Sequence, residues 1–152
     1  YRHVSGAGNL FSTARDFLHY ELMLLNRGSL NGRRVLRSES VALMCRNHVG
    51  SLFSDVYPAW TAGHGFGLGV AVVSDAAIGM GRAPGSFGWG GAYGTVTWCD
   101  PAQETAVVSM VQMPGANLMS KIGPALQRAF VPGRELEASP SETQLLPRQF
   151  PH

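Results

Sequence analysis

The stretch of this chain with most to offer a reactant is Gly88-Trp89-Gly90-Gly91-Ala92-Tyr93-Gly94. A strand here carries almost no side chains apart from one indole and one phenol, so a substrate could lie directly along its backbone N–H and C=O groups. A strand crossing tightly against other main chain, with no ligand at all, would use glycine in the same way. Nucleophilic chemistry also needs a base beside the nucleophile, and the local forms that supply one are absent. A Ser-x-x-Lys turn requires a lysine, and the single one, Lys121, has Leu118 three residues before it. No serine has glycine two before and two after it, and no glycine set fits Gly-x-Gly-x-x-Gly or a phosphate loop. The sequence therefore encodes neither a hydrolase elbow nor a nucleotide cradle, and no cofactor is expected. Cys45 and Cys99 give neither a disulfide framework nor a metal spacing, and read as two small buried side chains. The five histidines show no paired spacing, so no metal site is expected.

The 152 residues suffice for one domain. With 45% apolar and only 14% charged residues, most of the chain should be ordered. A net charge of +2 with no run of like charge excludes an electrostatic grip on nucleic acid or anionic lipid, which leaves a small molecule or another protein as partner. No stretch reaches the roughly eighteen consecutive apolar residues that crossing a bilayer needs. The chain opens at Tyr1 with no leader to read, and no compartment is assigned.

Several elements must position the glycine-rich strand. Ser12-Thr13, with Asp16 three residues after Thr13, forms an N-cap signal. A helix then runs from Ala14 to Asn26 with Ala14, Phe17, Leu18, Leu22, Leu24 and Leu25 on one broad face, and Gly28 ends it. Glu21 falls inside that apolar face and should find a partner or lie at the core's rim. Asn31-Gly32 marks a turn, and Ser38 is expected to cap a second helix carrying Val41, Met44 and Cys45. Residues 48 to 64 lack a period and read as an aromatic loop holding Phe53, Tyr57, Trp60 and His64.

Eleven of the nineteen glycines lie between Gly63 and Gly94, which excludes helix there. Gly65 to Val73 reads as one strand, with Phe66, Leu68, Val70 and Val72 on one face and a nearly bare face at Gly67, Gly69 and Ala71 against which something packs closely. Further antiparallel strands are expected at 86–91, 95–99 and 106–111, with a turn at Asp100-Pro101. Leu118, Ile122, Leu126 and Phe130 mark a final helix over the sheet, and residues 131–152, with four of nine prolines, read as a proline-rich tail. The fold class is α+β: a helical segment, then an antiparallel sheet covered by a C-terminal helix.

Taken in order, Ser5-Gly-Ala-Gly-Asn-Leu-Phe-Ser-Thr-Ala-Arg-Asp-Phe17, Met23-Leu-Leu-Asn-Arg-Gly28, Leu36-Arg-Ser-Glu-Ser-Val-Ala-Leu-Met44, Gly65-Phe-Gly-Leu-Gly69, Phe87-Gly-Trp-Gly-Gly91 and Gly94-Thr-Val-Thr-Trp-Cys-Asp-Pro101 resemble the serine β-lactamase-like family. That family holds class C β-lactamases and related carboxylesterases, and the likeness covers roughly residues 5 to 130. It implies that residues 1–130 are the C-terminal portion of a hydrolase domain of this fold. Of the family's three motifs, a Ser-x-x-Lys pair and a Tyr-x-Asn loop would lie upstream of Ser5, and only the Lys-Thr-Gly or His-x-Gly strand has a counterpart, Trp89-Gly90-Gly91. Tryptophan in place of a cation or imidazole resembles the esterase branch and argues against gripping a β-lactam carboxylate.

The mechanism so implied is acyl transfer, in which a serine attacks an ester carbonyl and water releases the acid from the acyl-enzyme. By position, the backbone N–H of Ala92 would be one oxyanion donor, beside Trp89, Gly90 and Gly91. Tyr93, Trp60 and Tyr57 would contact substrate, with Phe53 as further rim. The partners implied are a small ester or amide and the missing N-terminal half of the same domain. The 152 residues alone are expected to be inactive, with an exposed sheet edge or as a poorly stable fragment. Three rivals stay open: a β-lactamase or D-amino-acid peptidase, a non-catalytic acyl- or peptide-binding remnant, and an unrelated α+β domain whose Trp89-to-Gly91 stretch would be buried under a helix.

Overall fold

A computed structural model describes residue 8 and residues 10–56, 58–75 and 82–114, with 59 and 60 described by backbone alone. The expected final helix at Leu118 to Phe130, the tail at 131–152, Tyr57 and the Trp60 side chain lie outside the described residues.

Helix α1 spans Ala14–Leu25. Thr13 caps it: its hydroxyl accepts from the Asp16 N–H at 3.1 Å and donates to the Asp16 carboxylate at 2.9 Å, so hydroxyl and carboxylate hold each other in place. The helix ends where Arg27 and Gly28 take φ of 52° and 91°, with the Gly28 N–H returning to the Met23 carbonyl. Any Cβ at Gly28 would strike the Leu36 carbonyl, so glycine is required there twice over. The Asn31-Gly32 signal closes a two-residue hairpin between β1 (Ser29–Leu30) and β2 (Arg33–Arg34), both turn residues at positive φ.

Helix α2 covers Ser38–Met44, but its N-cap is Arg37, without a side-chain capping bond. Ser38 is the first helical residue instead, and its hydroxyl donates to Glu39. The expected aromatic loop contains two short helices, α3 (Leu52–Val56) and α4 (Pro58–Thr61). They are too short to display a helical period, which is why the sequence conceals them.

One five-stranded antiparallel sheet follows, in the order β3 (His64–Phe66), β4 (Ala71–Val73), β5 (Phe87–Gly90), β6 (Val96–Asp100) and β7 (Thr105–Ser109). The single strand expected at Gly65 to Val73 is in fact a hairpin, β3 against β4, with Phe66 opposite Ala71. Gly69 at φ +87° reverses the chain, and Leu68 stands half exposed on the turn rather than on a common face with Val70. Close packing does occur on the bare positions in and just past β3: a Cβ at Gly65 would meet the Asn47 side chain and one at Gly67 the Met44 carbonyl, while Gly69 on the turn faces open space.

The core lies between α1, α2 and one face of the sheet, built from Met23, Leu24, Val41, Val70, Val72, Phe87 and Cys99. At one end of the sheet, β7 has no strand beyond it among the described residues and is half-buried along its length. No helix among the described residues is long and apolar enough to cross a membrane.

Candidate active site

Strand β5 is paired unequally on its two edges. Toward β6 the ladder runs its whole length, Phe87 to Cys99 through Gly90 to Val96. Toward β4 it stops early, at Val72 with Phe87 and Ala71 with Gly88. The Gly91 N–H donates to the Thr95 carbonyl at 2.8 Å, so Gly91, Trp89 and Phe87 turn their N–H groups toward β6. By the alternation of an antiparallel ladder, Gly90 turns its N–H and C=O the other way, onto an edge that β4 no longer covers. Beyond it, Gly94 donates to the Gly91 carbonyl at 2.9 Å and closes a turn around Ala92 and Tyr93. No hydrogen bond to the described residues uses the Ala92 N–H. Trp89, Gly90, Gly91, Ala92 and Tyr93 are all exposed, so the variant in which this stretch is sealed beneath a helix does not apply.

The glycines divide by role. A Cβ at Gly88 would collide with the Thr97 carbonyl and lie 2.6 Å from the Trp98 Cα, so this glycine serves a tight strand crossing. Gly90 has only the Thr95 carbonyl nearby, at 3.2 Å, and otherwise opens outward.

Trp89 is 48% exposed. Its ring meets Phe66 edge-on at 5.0 Å and lies 6.1 Å from Phe53, which is itself 4.9 Å from Phe66. These three rings, with Val49, Leu52 and Val56, line a groove of about 320 Å³ beside the open edge. A groove of that size lies at the small end of ligand sites, and its lining offers apolar contact without charge. Phe53 is legible in the sequence as rim, whereas Phe66 falls on the apolar face of the strand expected at Gly65 to Val73, and Val49, Leu52 and Val56 give no signal at all. Asn47 organises this wall: its Oδ1 accepts from the Val49 and Phe66 N–H groups and its Nδ2 donates to the Gly50 carbonyl. Tyr93 is exposed outside the groove, and its carbonyl accepts from the Met113 N–H at 2.8 Å.

Behind the strand, Glu21 of α1 is 3% exposed. Burial raises its pKa, against which hydrogen bonds from Thr97 and Cys99 act. On the opposite face of the sheet, His64 sits with Nε2 3.3 Å from the Arg82 guanidinium and Nδ1 2.9 Å from the Ala62 carbonyl, and burial lowers its pKa. Arg82 lies over the Trp98 ring, and burial pulls its pKa down to about 10 while Asp100 opposes the shift. Among the described residues no group of three His, Cys, Asp or Glu side chains could hold a metal ion.

The α+β arrangement, an antiparallel sheet backed by helices, matches the β-lactamase/transpeptidase-like fold of the serine hydrolase type. The chain belongs to the Beta-lactamase family, whose model matches residues 1–129. It is 37% identical over 116 residues to Protein Rv1367c of Mycobacterium tuberculosis (strain ATCC 25618 / H37Rv), across 71% of this chain and 29% of that protein. Among solved structures it is similar to EstCE1, described as a hydrolase with promiscuous acyltransferase activity, at TM-score 0.61 and 29% identity over 77% of this chain and 29% of that one. It shares its fold with simvastatin synthase (LovD) from Aspergillus terreus, at TM-score 0.52 and 21% identity over 67% of this chain and 29% of that one. The chain thus spans about 29% of the length of the relatives it matches.

Proposed function

We propose that this chain supplies the oxyanion-binding strand and an apolar substrate wall of a serine hydrolase that acts on esters through an acyl-enzyme. The observation that carries this reading is the edge of β5 past Gly88, which β4 no longer pairs: no hydrogen bond to the described residues uses the Ala92 N–H just beyond it, and Trp89 on the same stretch lines an apolar groove. An attacked ester carbonyl develops negative charge on its oxygen, and a fixed main-chain N–H meets that charge with no reorganisation. Each such donor stabilises the transition state by about 2.7–4 kcal/mol. The second donor, the nucleophilic serine and its lysine base come from outside these 152 residues, which contain no Ser-x-x-Lys. The likeness to EstCE1, a hydrolase with promiscuous acyltransferase activity, supports acyl-transfer chemistry, and the uncharged indole at position 89 favours an ester over a β-lactam carboxylate.

The test is pre-steady-state turnover of a nitrophenyl ester by the full-length protein that carries this chain. A burst equal to the enzyme concentration, followed by slower steady release, is expected. Absence of any burst or turnover, or penicillin hydrolysis faster than ester hydrolysis, overturns the reading.

A further inference from the structure

The six side chains that line the groove beside the open edge of β5 come from three places: Val49, Leu52, Phe53 and Val56 from the loop after α2 and from α3, Phe66 from β3, and Trp89 from β5. One amide ties the first two walls together. The Asn47 Oδ1 accepts from the Val49 N–H at 3.0 Å and from the Phe66 N–H at 3.2 Å, while its Nδ2 donates to the Gly50 carbonyl at 2.9 Å. The His48 N–H donates to the Phe66 carbonyl at 2.8 Å, so both main-chain groups of Phe66 are held by residues 47 and 48. Gly65 makes room for this arrangement, because a Cβ there would strike the Asn47 amide.

Both polar atoms of the Asn47 side chain are engaged by main chain, and none of the six lining residues carries a charge. A carboxylate or an ammonium entering the groove would lose hydration and find no partner, whereas an alkyl chain gains by leaving water. The volume of about 320 Å³ is that of a small-molecule site. Trp89 joins the groove to the open edge, since its ring stands in the one against Phe66 and Phe53 while its main chain runs along the other. Leu52, Val56 and Trp89 are each about half exposed or more, and a chain lying in the groove covers them.

We propose that this groove binds the alkyl chain of an uncharged ester and that Asn47 is the positioning residue that sets its width. The inference deepens the ester-hydrolase reading by naming the substrate class, and its consequence for catalysis rests on that reading, while the binding of an alkyl chain is a property of the groove itself. Asn47 acts through the direction it gives to the segment from Val49 to Val56 relative to Phe66. Loss of its Oδ1 leaves the Val49 and Phe66 N–H groups without their acceptor and releases α3 from β3, so a bound chain loses contact along one wall.

The experiment has two arms, both on the full-length protein that carries this chain. In the first, 1-hexanol is titrated into isotope-labelled protein while the Trp89 indole N–H and the Phe53 and Phe66 rings are followed by NMR. A saturable shift of all three is expected, with none from ethanol at equal concentration. Asn47→Ala is expected to weaken hexanol binding by about tenfold, within the range that an altered apolar pocket gives, and Asn47→Asp, which keeps an acceptor for both N–H groups, to restore it. Where Asn47→Ala does not fold, Gly65→Ala, which pushes the Asn47 amide aside, takes its place with the same expectation. In the second arm, nitrophenyl acetate, butyrate and hexanoate are compared, beside ethyl, butyl and hexyl acetate. In the series whose chain enters the groove, kcat/KM is expected to rise by up to about fourfold per methylene, the effect of burying one CH2, and Asn47→Ala to raise KM more for the longest member than for the shortest. A rise along the first series assigns the chain to the acyl group, a rise along the second to the alcohol. No saturable hexanol shift, flat profiles in both series, or an Asn47→Ala variant that affects long and short substrates alike overturns the proposal. The two readings fail separately: saturable hexanol binding without ester turnover removes the hydrolase reading alone, and turnover with flat profiles removes this inference alone.

Discussion

The Gly94 N–H donates to the Gly91 carbonyl at 2.9 Å. Because the peptide unit joining Gly91 to Ala92 is trans, that bond aims the Ala92 N–H away from the turn, and it holds the donor in place without any side chain. Proline at this position removes the donor and little else. Ala92→Pro in the full-length protein is expected to lower kcat for an ester by about 10²–10³-fold, whereas Ala92→Ser leaves it near wild type. Equal kcat in the two variants, with circular dichroism showing both folded, would contradict the assignment of this amide.

Trp89 forms the wall between the open edge and the apolar groove, with Phe66 and Phe53 against its ring. Trp89→Ala strips one side from that groove and is expected to raise KM for esters with a bulky apolar acyl group more than for an acetate. Trp89→Lys places a cation where a substrate carboxylate would lie and should shift relative rates toward carboxylate-bearing substrates. A panel of nitrophenyl esters and one penicillin, assayed side by side, checks both outcomes.

Gly88 and Gly90 are only two residues apart, yet substitution should separate them. A methyl at Gly88 drives into the β6 backbone, so Gly88→Ala is expected to destabilise by at least about 1–3 kcal/mol. Gly90→Ala meets only the Thr95 carbonyl at 3.2 Å and should cost less. Urea denaturation of both variants measures the difference, and similar midpoints would show that β5 is not held tightly against β6.

Folding shifts Glu21 and His64 in opposite stability directions. The Glu21 carboxyl is raised above its ordinary 4.5 by burial, so the folded chain keeps the proton longer than the unfolded one. Its contribution is fully present below 4.5 and is lost as pH rises through the folded value. His64 is lowered from its ordinary 6.5 by burial, next to Arg82, so its contribution is full above 6.5 and is lost as pH falls toward the folded value. Thermal melts against pH should therefore lose the decline on the alkaline side in Glu21→Gln and the decline on the acid side in His64→Gln. Unchanged slopes in both would mean that neither group is desolvated on folding.

Much of the architecture was legible because it is written in neighbouring residues. Thr13 with Asp16 announced α1, Asn31-Gly32 announced the small hairpin, and the alternation after Ser86 announced the last three strands of the sheet. The same local logic misread Gly65 to Val73 as one strand, since an uninterrupted alternation of apolar residues and glycine looks alike whether or not the chain reverses at Gly69. It also placed the second helix's cap at Ser38 rather than Arg37 and missed α3 and α4, whose one turn each leaves no period to see.

What the sequence determined by itself was the material of the site: a nearly bare main chain around one indole, no Ser-x-x-Lys pair, and motifs in the family's order. Tertiary structure alone decided which amides are free, because that depends on where β4 stops along β5, a pairing between segments some seventeen residues apart. It also decided that Glu21, read only as a misfit on an apolar helix face, lies with Thr97 and Cys99 some 76 to 78 residues later in the chain. Periodicity reports which face of an element is apolar, but a hydrogen bond is made at a distance and an angle, and those are set only when the elements pack.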